Sequence, residues 1–149
     1  LVTDNGTQDT APTAEYVTAT GGTPTTSPCG DYKIHTFTGP GALCVSAAGN
    51  AAGSTVLEYM VVAGGGGADG NTGNTRGGGG GGGFRFASPS LAPLCYPGKP
   101  LAAPAGITAA VQSYPIVVGG GGNNSATQGS DSSGLSITST AVVEAQVVH

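Results

Sequence analysis

The first residues that suggest chemistry form a glycine-rich motif after an apolar stretch. Residues 65–70 read Gly-Gly-Gly-Ala-Asp-Gly, the spacing of a dinucleotide-binding loop. Such a loop binds pyrophosphate only where a helix begins, with an acidic residue about 20 positions further on. Neither feature follows, because residues 71–83 are mostly glycine and small polar residues. We interpret the match as a coincidence within a glycine run and expect no cofactor.

Acid–base or nucleophilic chemistry would depend on a few histidines and carboxylates. His35 alternates with Phe37 in a strand-like stretch, and His149 is the last residue, so neither is expected to act as a base. Asp69 and Asp131 together suggest a calcium or glycosidase site, but both lie in small polar loops where aspartate commonly forms turns. We therefore predict no enzyme activity and no metal site.

The cysteines are Cys29, Cys44 and Cys95, without a CxxC pattern. This spacing excludes a zinc knuckle and a thioredoxin-like motif. An odd number leaves at least one free thiol or an intermolecular bridge. Three small, semi-buried thiols in a reducing cytoplasm are the favoured interpretation.

The charge of the chain restricts its partners. Only four residues are basic, and the net charge is −4, so a basic patch for nucleic acid or anionic lipid is not expected. No apolar run has the length of about 18 residues that a bilayer requires. The first residues show no charged n-region followed by an apolar h-region, so a signal peptide is not expected. We expect neither nucleic-acid binding nor membrane insertion.

Glycine dominates the elements that would position any site. The chain has 29 glycines and 10 prolines, with 8% charged and 5% aromatic residues, too few large side chains for a conventional core. Glycine runs span residues 64–67, 77–83 and 119–122. Extended helices with three residues per turn, packed through their backbones, are the expected ordered form of such runs. The glycines predicted to be structural are Gly64, Gly65, Gly66, Gly67, Gly77, Gly80, Gly83, Gly119, Gly120, Gly121 and Gly122.

Strand-like stretches are separated by glycine and proline, and no window has helical periodicity. The predicted strands are residues 15–20, 32–38, 42–47, 56–63, 113–118, 135–140 and 142–148. Gly39-Pro40-Gly41 predicts a hairpin that joins the second and third of them. The expected fold class is all-β, with short antiparallel strands, a packed polyglycine II-like layer and little or no helix. Residues 1–30 are predicted to be an extended Thr/Pro-rich connector, and residues 31–149 a glycine-rich β domain.

Four motifs in succession resemble a known family. They are Tyr-Lys-Ile-His-Thr-Phe-Thr at residues 32–38, Val-Val-Ala followed by glycines at 61–67, Gly-Gly-Phe-Arg at 82–85 and Tyr-Pro-Ile-Val-Val-Gly-Gly at 114–120. They are similar to the glycine-rich domain of tail-fibre and other appendage proteins of tailed bacteriophages. The resemblance implies a location on the virion exterior, packed polyglycine helices with receptor-contacting loops at their ends, and no catalysis.

The chain departs from that pattern in two places. Residues 88–107 form a longer, proline-rich loop that suits recognition, and residues 141–148 replace an expected glycine run with a strand that suits pairing with another subunit. Phe84 and Phe86 have two open interpretations, a sugar-stacking platform or anchors between glycine helices and strands. The receptor-contact candidates are Arg76, Arg85, Tyr96, Lys99, Asn71, Asn74, Asn123 and Asn124.

The expected function is that of a non-enzymatic virion structural protein, a tail fibre or receptor-binding appendage that attaches to the host cell surface. A capsid decoration or filament subunit without receptor contact is the alternative. Expected partners are copies of the chain itself, with a trimer favoured, other virion proteins, and a host polysaccharide or outer-membrane protein. The protein would assemble in the host cytoplasm and lie on the virion exterior.

Overall fold

The computed structural model describes residues 11–68, 78–87, 103, 105–123 and 127–141. These residues form short β-strands, all paired antiparallel, and contain no helix. Accordingly, no described element is a helix that could cross a membrane. The predicted all-β fold class is confirmed.

The strands are as follows. In chain order they are β1 (Val17–Thr20), β2 (Thr23–Thr26), β3 (Lys33–Thr36), β4 (Gly41–Ala48), β5 (Val56–Leu57), β6 (Tyr59–Val62), β7 (Phe84–Ala87), β8 (Ile107–Thr108), β9 (Ser113–Ile116), β10 (Ser132–Gly134) and β11 (Ile137–Ser139).

The largest sheet has three strands in the order β1-β4-β9. Its centre, β4, alternates buried and exposed positions, so Leu43 and Val45 point to one face. Tyr114 of β9 and Leu135 complete the buried cluster with them. Because few large apolar residues are present, this small cluster is the hydrophobic core of the described strands.

The hairpin predicted around Gly39-Pro40-Gly41 is wrong. β3 pairs with β2, from Thr23↔Thr36 to Thr26↔Lys33, whereas β4 pairs with β1 and β9. The Thr-rich β2 was missed by sequence reasoning. β4 instead lies between β1 and β9, where Leu43 and Val45 are buried.

Residues before position 30 therefore contribute two strands that pair beyond it, β1 with β4 and β2 with β3. The Asn50 side chain also holds this part of the chain, accepting from the Glu15 amide at 3.1 Å and donating to the Thr13 carbonyl at 2.8 Å. The division into a connector and a domain at residue 30 stays a prediction.

Short strands lead directly into glycine. β6 is followed by glycine segment 1 (residues 63–67), and β7 follows glycine segment 2 (residues 78–83). Glycine segment 3 (residues 119–122) comes shortly after β9, and a return segment (residues 127–130) leads back to β10. These four segments form what we call the glycine layer.

Hydrogen bonds between segments 1 and 2 recur every three residues. The Ala63 amide donates to the Gly83 carbonyl, and the Gly66 amide donates to the Gly80 carbonyl, both at 2.9 Å. Numbering rises in one segment as it falls in the other, so they run antiparallel. A three-residue interval is the repeat of a polyglycine II-like helix, whereas side chains of a β-strand alternate every two residues.

The same interval appears on a second side of segment 1. The amides of Gly64 and Gly67 donate to the return segment, at the carbonyls of Ser130 (3.0 Å) and Thr127 (2.9 Å). On a third side, the Gly65 carbonyl accepts from segment 3 at 2.8 Å. Successive residues of segment 1 thus bond to three different neighbours, as a helix of three residues per turn requires. The predicted packed glycine layer is present.

Candidate functional site

Arg85 lies on the two-stranded β6–β7 sheet. The register pairs Val61 with Arg85 and Tyr59 with Ala87, which puts Arg85 and Tyr59 on the same face of this sheet. Tyr59 is half-buried and Arg85 is exposed. The guanidinium makes no ion pair or hydrogen bond with any residue that the structure describes.

A groove of about 350 Å³ runs between this face and the β10–β11 hairpin. Arg85 provides its only charged group among the described residues, and several side chains bear hydroxyl groups. The lining consists of Tyr59, Arg85, Phe86, Ala103, Ser136, Ile137 and Thr138. The lining thus includes one cation, two aromatic residues and several hydroxyls, and these groups can contact a polar or anionic ligand.

The hairpin turn beside the groove has an unusual backbone. β10 and β11 pair up to Gly134↔Ile137, so the two turn residues are Leu135 (φ 55°) and Ser136 (φ 63°). Positive φ at both positions describes a type I′ turn, which favours Asn and Gly. Leu135 is buried in the core cluster, whereas Ser136 is exposed and lines the groove. The single strand predicted for residues 135–140 is therefore wrong at its first two positions.

The other candidate that the structure describes is Asn123. Its side-chain oxygen accepts from the Thr127 hydroxyl at 2.7 Å. Its backbone amide donates to the same hydroxyl at 2.8 Å. This exposed side chain therefore closes the loop between segment 3 and the return segment. Arg85 and Asn123 do not come together, because Arg85 pairs with Val61 before segment 1 and Asn123 lies beside Gly67 at its far end.

The remaining receptor-contact candidates lie outside the described residues, as do Gly77, Cys95 and the strand predicted for residues 142–148. Those candidates are Arg76, Tyr96, Lys99, Asn71, Asn74 and Asn124.

Sequence reasoning missed Tyr59, Ser136 and Thr138 as neighbours of Arg85, since no motif connects residues so far apart in the chain. The Gly134-Leu135-Ser136 stretch was the available signal, because a glycine between strand-like residues indicates a turn.

Phe84 and Phe86 have different surroundings although their rings are in contact, with centroids 5.1 Å apart. Phe86 is buried and Phe84 is 50% exposed. Phe86 therefore packs as an anchor, and Phe84 retains a free surface.

Of the groups considered for catalysis, His35 and Asp131 have structural partners, whereas Asp69 and His149 lie outside the described residues. The His35 Nδ1 atom is 2.8 Å from the Gly21 carbonyl oxygen, and Asp131 accepts from the Ala141 amide at 2.8 Å. Within the part of the chain that the structure describes, no group of three or more His, Cys, Asp or Glu residues could hold a metal ion. Cys29 and Cys44 are free and exposed, so the expectation of semi-buried thiols is wrong for these two.

The glycine layer agrees with the comparison against known families. The sequence model of a glycine-rich domain family matches residues 38–147, well over half of the 149 residues. The chain belongs to this glycine-rich domain family. The match begins between β3 and β4 and includes all four segments of the glycine layer, whereas β1, β2 and β3 lie before it. Comparison with curated proteins and with solved structures gave no match.

Proposed function

We propose that this glycine-rich domain protein is a non-enzymatic virion structural protein, part of a tail fibre or receptor-binding appendage that attaches the particle to the host cell surface. It would assemble in the host cytoplasm and lie on the virion exterior, with copies of itself and other virion proteins as partners. The host ligand would be a surface polysaccharide or an outer-membrane protein. The four sequence motifs that resemble phage appendage proteins support this proposal.

The structural observation that carries the proposal is the glycine layer. Its segments hold one another by backbone hydrogen bonds every three residues, so it needs no large side chains for its order. Such a scaffold fixes the ends of the intervening loops, while the loop sequences remain free to vary. This division suits a protein whose task is to present contact residues.

The alternative, a capsid decoration or filament subunit, is supported by an apolar surface opposite the Arg85 face. Met60, Val62 and Phe84 share one face of the β6–β7 sheet and are 69%, 50% and 50% exposed. A contiguous apolar surface of this kind is typical of a contact with another protein. We call it the β6–β7 apolar face.

Immunogold imaging of native particles with an antibody against the chain tests the proposal. Label at the distal end of a tail appendage is the expected result, and an excess of purified chain should then reduce adsorption of particles to host cells. Label spread over the capsid, with adsorption unchanged, would instead support the decoration role. Particles without label would refute both virion roles.

A further inference from the structure

The groove beside Arg85 has the features of a ligand site with a defined charge preference. We infer that it binds a carboxylated saccharide, with the Arg85 guanidinium holding the carboxylate. This inference rests on the proposed attachment function and names the chemical class of its ligand.

The first argument is charge. The chain has a net charge of −4 and only four basic residues, yet the Arg85 side chain has no ionic or hydrogen-bonded partner among the described residues. None of the described residues that line the groove is acidic. A guanidinium presents paired donors that match the two oxygens of a carboxylate, and such bonds are stronger than those between neutral groups. An anionic ligand in the groove would therefore provide an ionic partner for the Arg85 guanidinium.

The second argument is the rest of the lining. Tyr59 packs partly against the core cluster and is partly exposed beside Arg85, and the exposed part of an aromatic ring offers apolar surface to the C–H groups of a sugar. Ser136 and Thr138 add hydroxyls that both donate and accept hydrogen bonds, as sugar hydroxyls do. The volume of about 350 Å³ falls at the small end of ligand pockets. It suits a short stretch of an oligosaccharide.

The third argument is the backbone of Ser136. Its φ of 63° is one that glycine adopts with less strain. Burial in the core explains the neighbouring Leu135, but Ser136 is exposed and its hydroxyl has no hydrogen-bond partner among the described residues. Strained residues concentrate at binding sites. A serine here places a hydroxyl in the groove, which glycine would lack.

The experiment uses the full chain on an array of carboxylated (uronic and sialic acid), sulfated and neutral oligosaccharides, with carboxyl-reduced forms of the same uronic acid oligomers. Binding should be confined to carboxylated oligosaccharides and lost on carboxyl reduction. Arg85→Gln should weaken it by about tenfold or more, since a charge-assisted hydrogen bond is lost. Lys33→Gln, which removes a positive charge from β3 instead, is the matched control and should bind normally. No binding to carboxylated oligosaccharides, equal binding after reduction, or equal losses in both variants would overturn the inference.

Ser136→Gly separates a binding role from a structural one. It should raise the melting temperature, because it relieves the positive-φ strain, and at the same time weaken saccharide binding. A rise in melting temperature with unchanged binding would show that Ser136 takes no part in saccharide binding.

Binding of the fluorescently labelled chain to host cells distinguishes failure of the inference from failure of the proposed function. If the unmodified chain and Arg85→Gln both bind host cells but neither binds carboxylated oligosaccharides, the groove is not a saccharide site. The proposed attachment function would be unaffected by that result. No cell binding by any form of the chain would refute attachment itself.

Discussion

Single glycines in the layer differ in what surrounds them. A β-carbon added to Gly64, Gly79 or Gly82 would overlap a carbonyl oxygen of another segment, whereas one added to Gly78 or Gly81 would meet nothing within 4 Å. None of these glycines has a positive φ. Glycine is therefore required at the inner positions because two backbones approach each other closely there. A positive φ is not what requires it.

Gly82→Ala should therefore destabilise the protein strongly. The new methyl group would overlap the Ala63 carbonyl oxygen, and overpacking of this kind costs about 3 kcal/mol, at the upper end of the usual range. Its neighbour Gly81 is the control, since Gly81→Ala should be neutral or stabilising by about 0.5 kcal/mol through the unfolded state. Urea denaturation of both variants measures the difference. Equal effects would show that segment 2 does not pack as described.

Two buried serines should respond in opposite directions to replacement by alanine. The Ser139 hydroxyl is buried and has no hydrogen-bond partner among the described residues, whereas the Ser132 hydroxyl, also buried, accepts from the Gly119 amide at 2.9 Å. Ser139→Ala should be neutral or stabilising by up to about 1 kcal/mol, and Ser132→Ala should destabilise by about 1–2 kcal/mol because an amide loses its acceptor. Thermal unfolding measures both, and a loss of stability in Ser139→Ala would indicate a bonded hydroxyl.

Among the elements, the turns decide how the small sheets are arranged. The β10–β11 turn carries Leu135 into the core and Ser136 into the groove, so one strained turn serves both packing and the candidate site. The turn after β4 has a similar organising role, because Asn50 bonds to the backbone of residues 13–15 and to the amide of Gly53.

Asn50→Ala should release the segment that precedes β1. The loss of several exposed side-chain hydrogen bonds should cost about 1–2 kcal/mol and increase hydrogen exchange at the amide of Glu15. Asn50→Asp is the control, since it keeps the accepting oxygen and removes only the donation to Thr13, so exchange at Glu15 should change less. Unchanged protection in Asn50→Ala would mean that backbone hydrogen bonds hold this segment, through the pairing of β1 and the bonds from the Asn50 and Ser54 amides to the Glu15 carbonyl.

At the scale of the molecule, the described residues form a small core and leave an apolar surface exposed. Leu43, Val45, Tyr114 and Leu135 form its buried cluster, while the β6–β7 apolar face is open. Proteins with small cores often gain stability by association. This surface therefore supports the expectation that copies of the chain associate, with a trimer favoured.

Met60→Lys should shift the protein towards the monomer without loss of fold. Met60 is 69% exposed, so a charge there costs little in an isolated chain but is costly within an apolar interface. Sedimentation velocity over a range of concentrations gives the oligomeric state, and circular dichroism checks the fold. Thr108→Lys, at another exposed strand position, is the control. A monomer at all concentrations without any substitution would refute self-association through this face.

The sequence by itself determined the fold class and the glycine layer. Glycine runs without side chains have few ordered forms, and short apolar stretches without helical periodicity indicated an all-β chain, so composition and local pattern were sufficient for the class. The individual strands were predicted only in part, because β2, β7, β8 and β10 lie outside the predicted stretches. Strand pairing was not determined in this way. The hairpin predicted between β3 and β4 failed because pairing depends on which distant segment buries Leu43 and Val45, and no local pattern contains that information.

The candidate site was predictable only in part. Arg85 was one of eight receptor-contact candidates in the sequence, whereas its neighbours Tyr59, Ser136 and Thr138 come from separate strands and a turn. Only the tertiary structure brings them together. Residue type shows which side chains can bind a ligand. The groove itself forms because the β10–β11 hairpin packs against β6 and β7, and this packing depends on contacts between residues far apart in the chain.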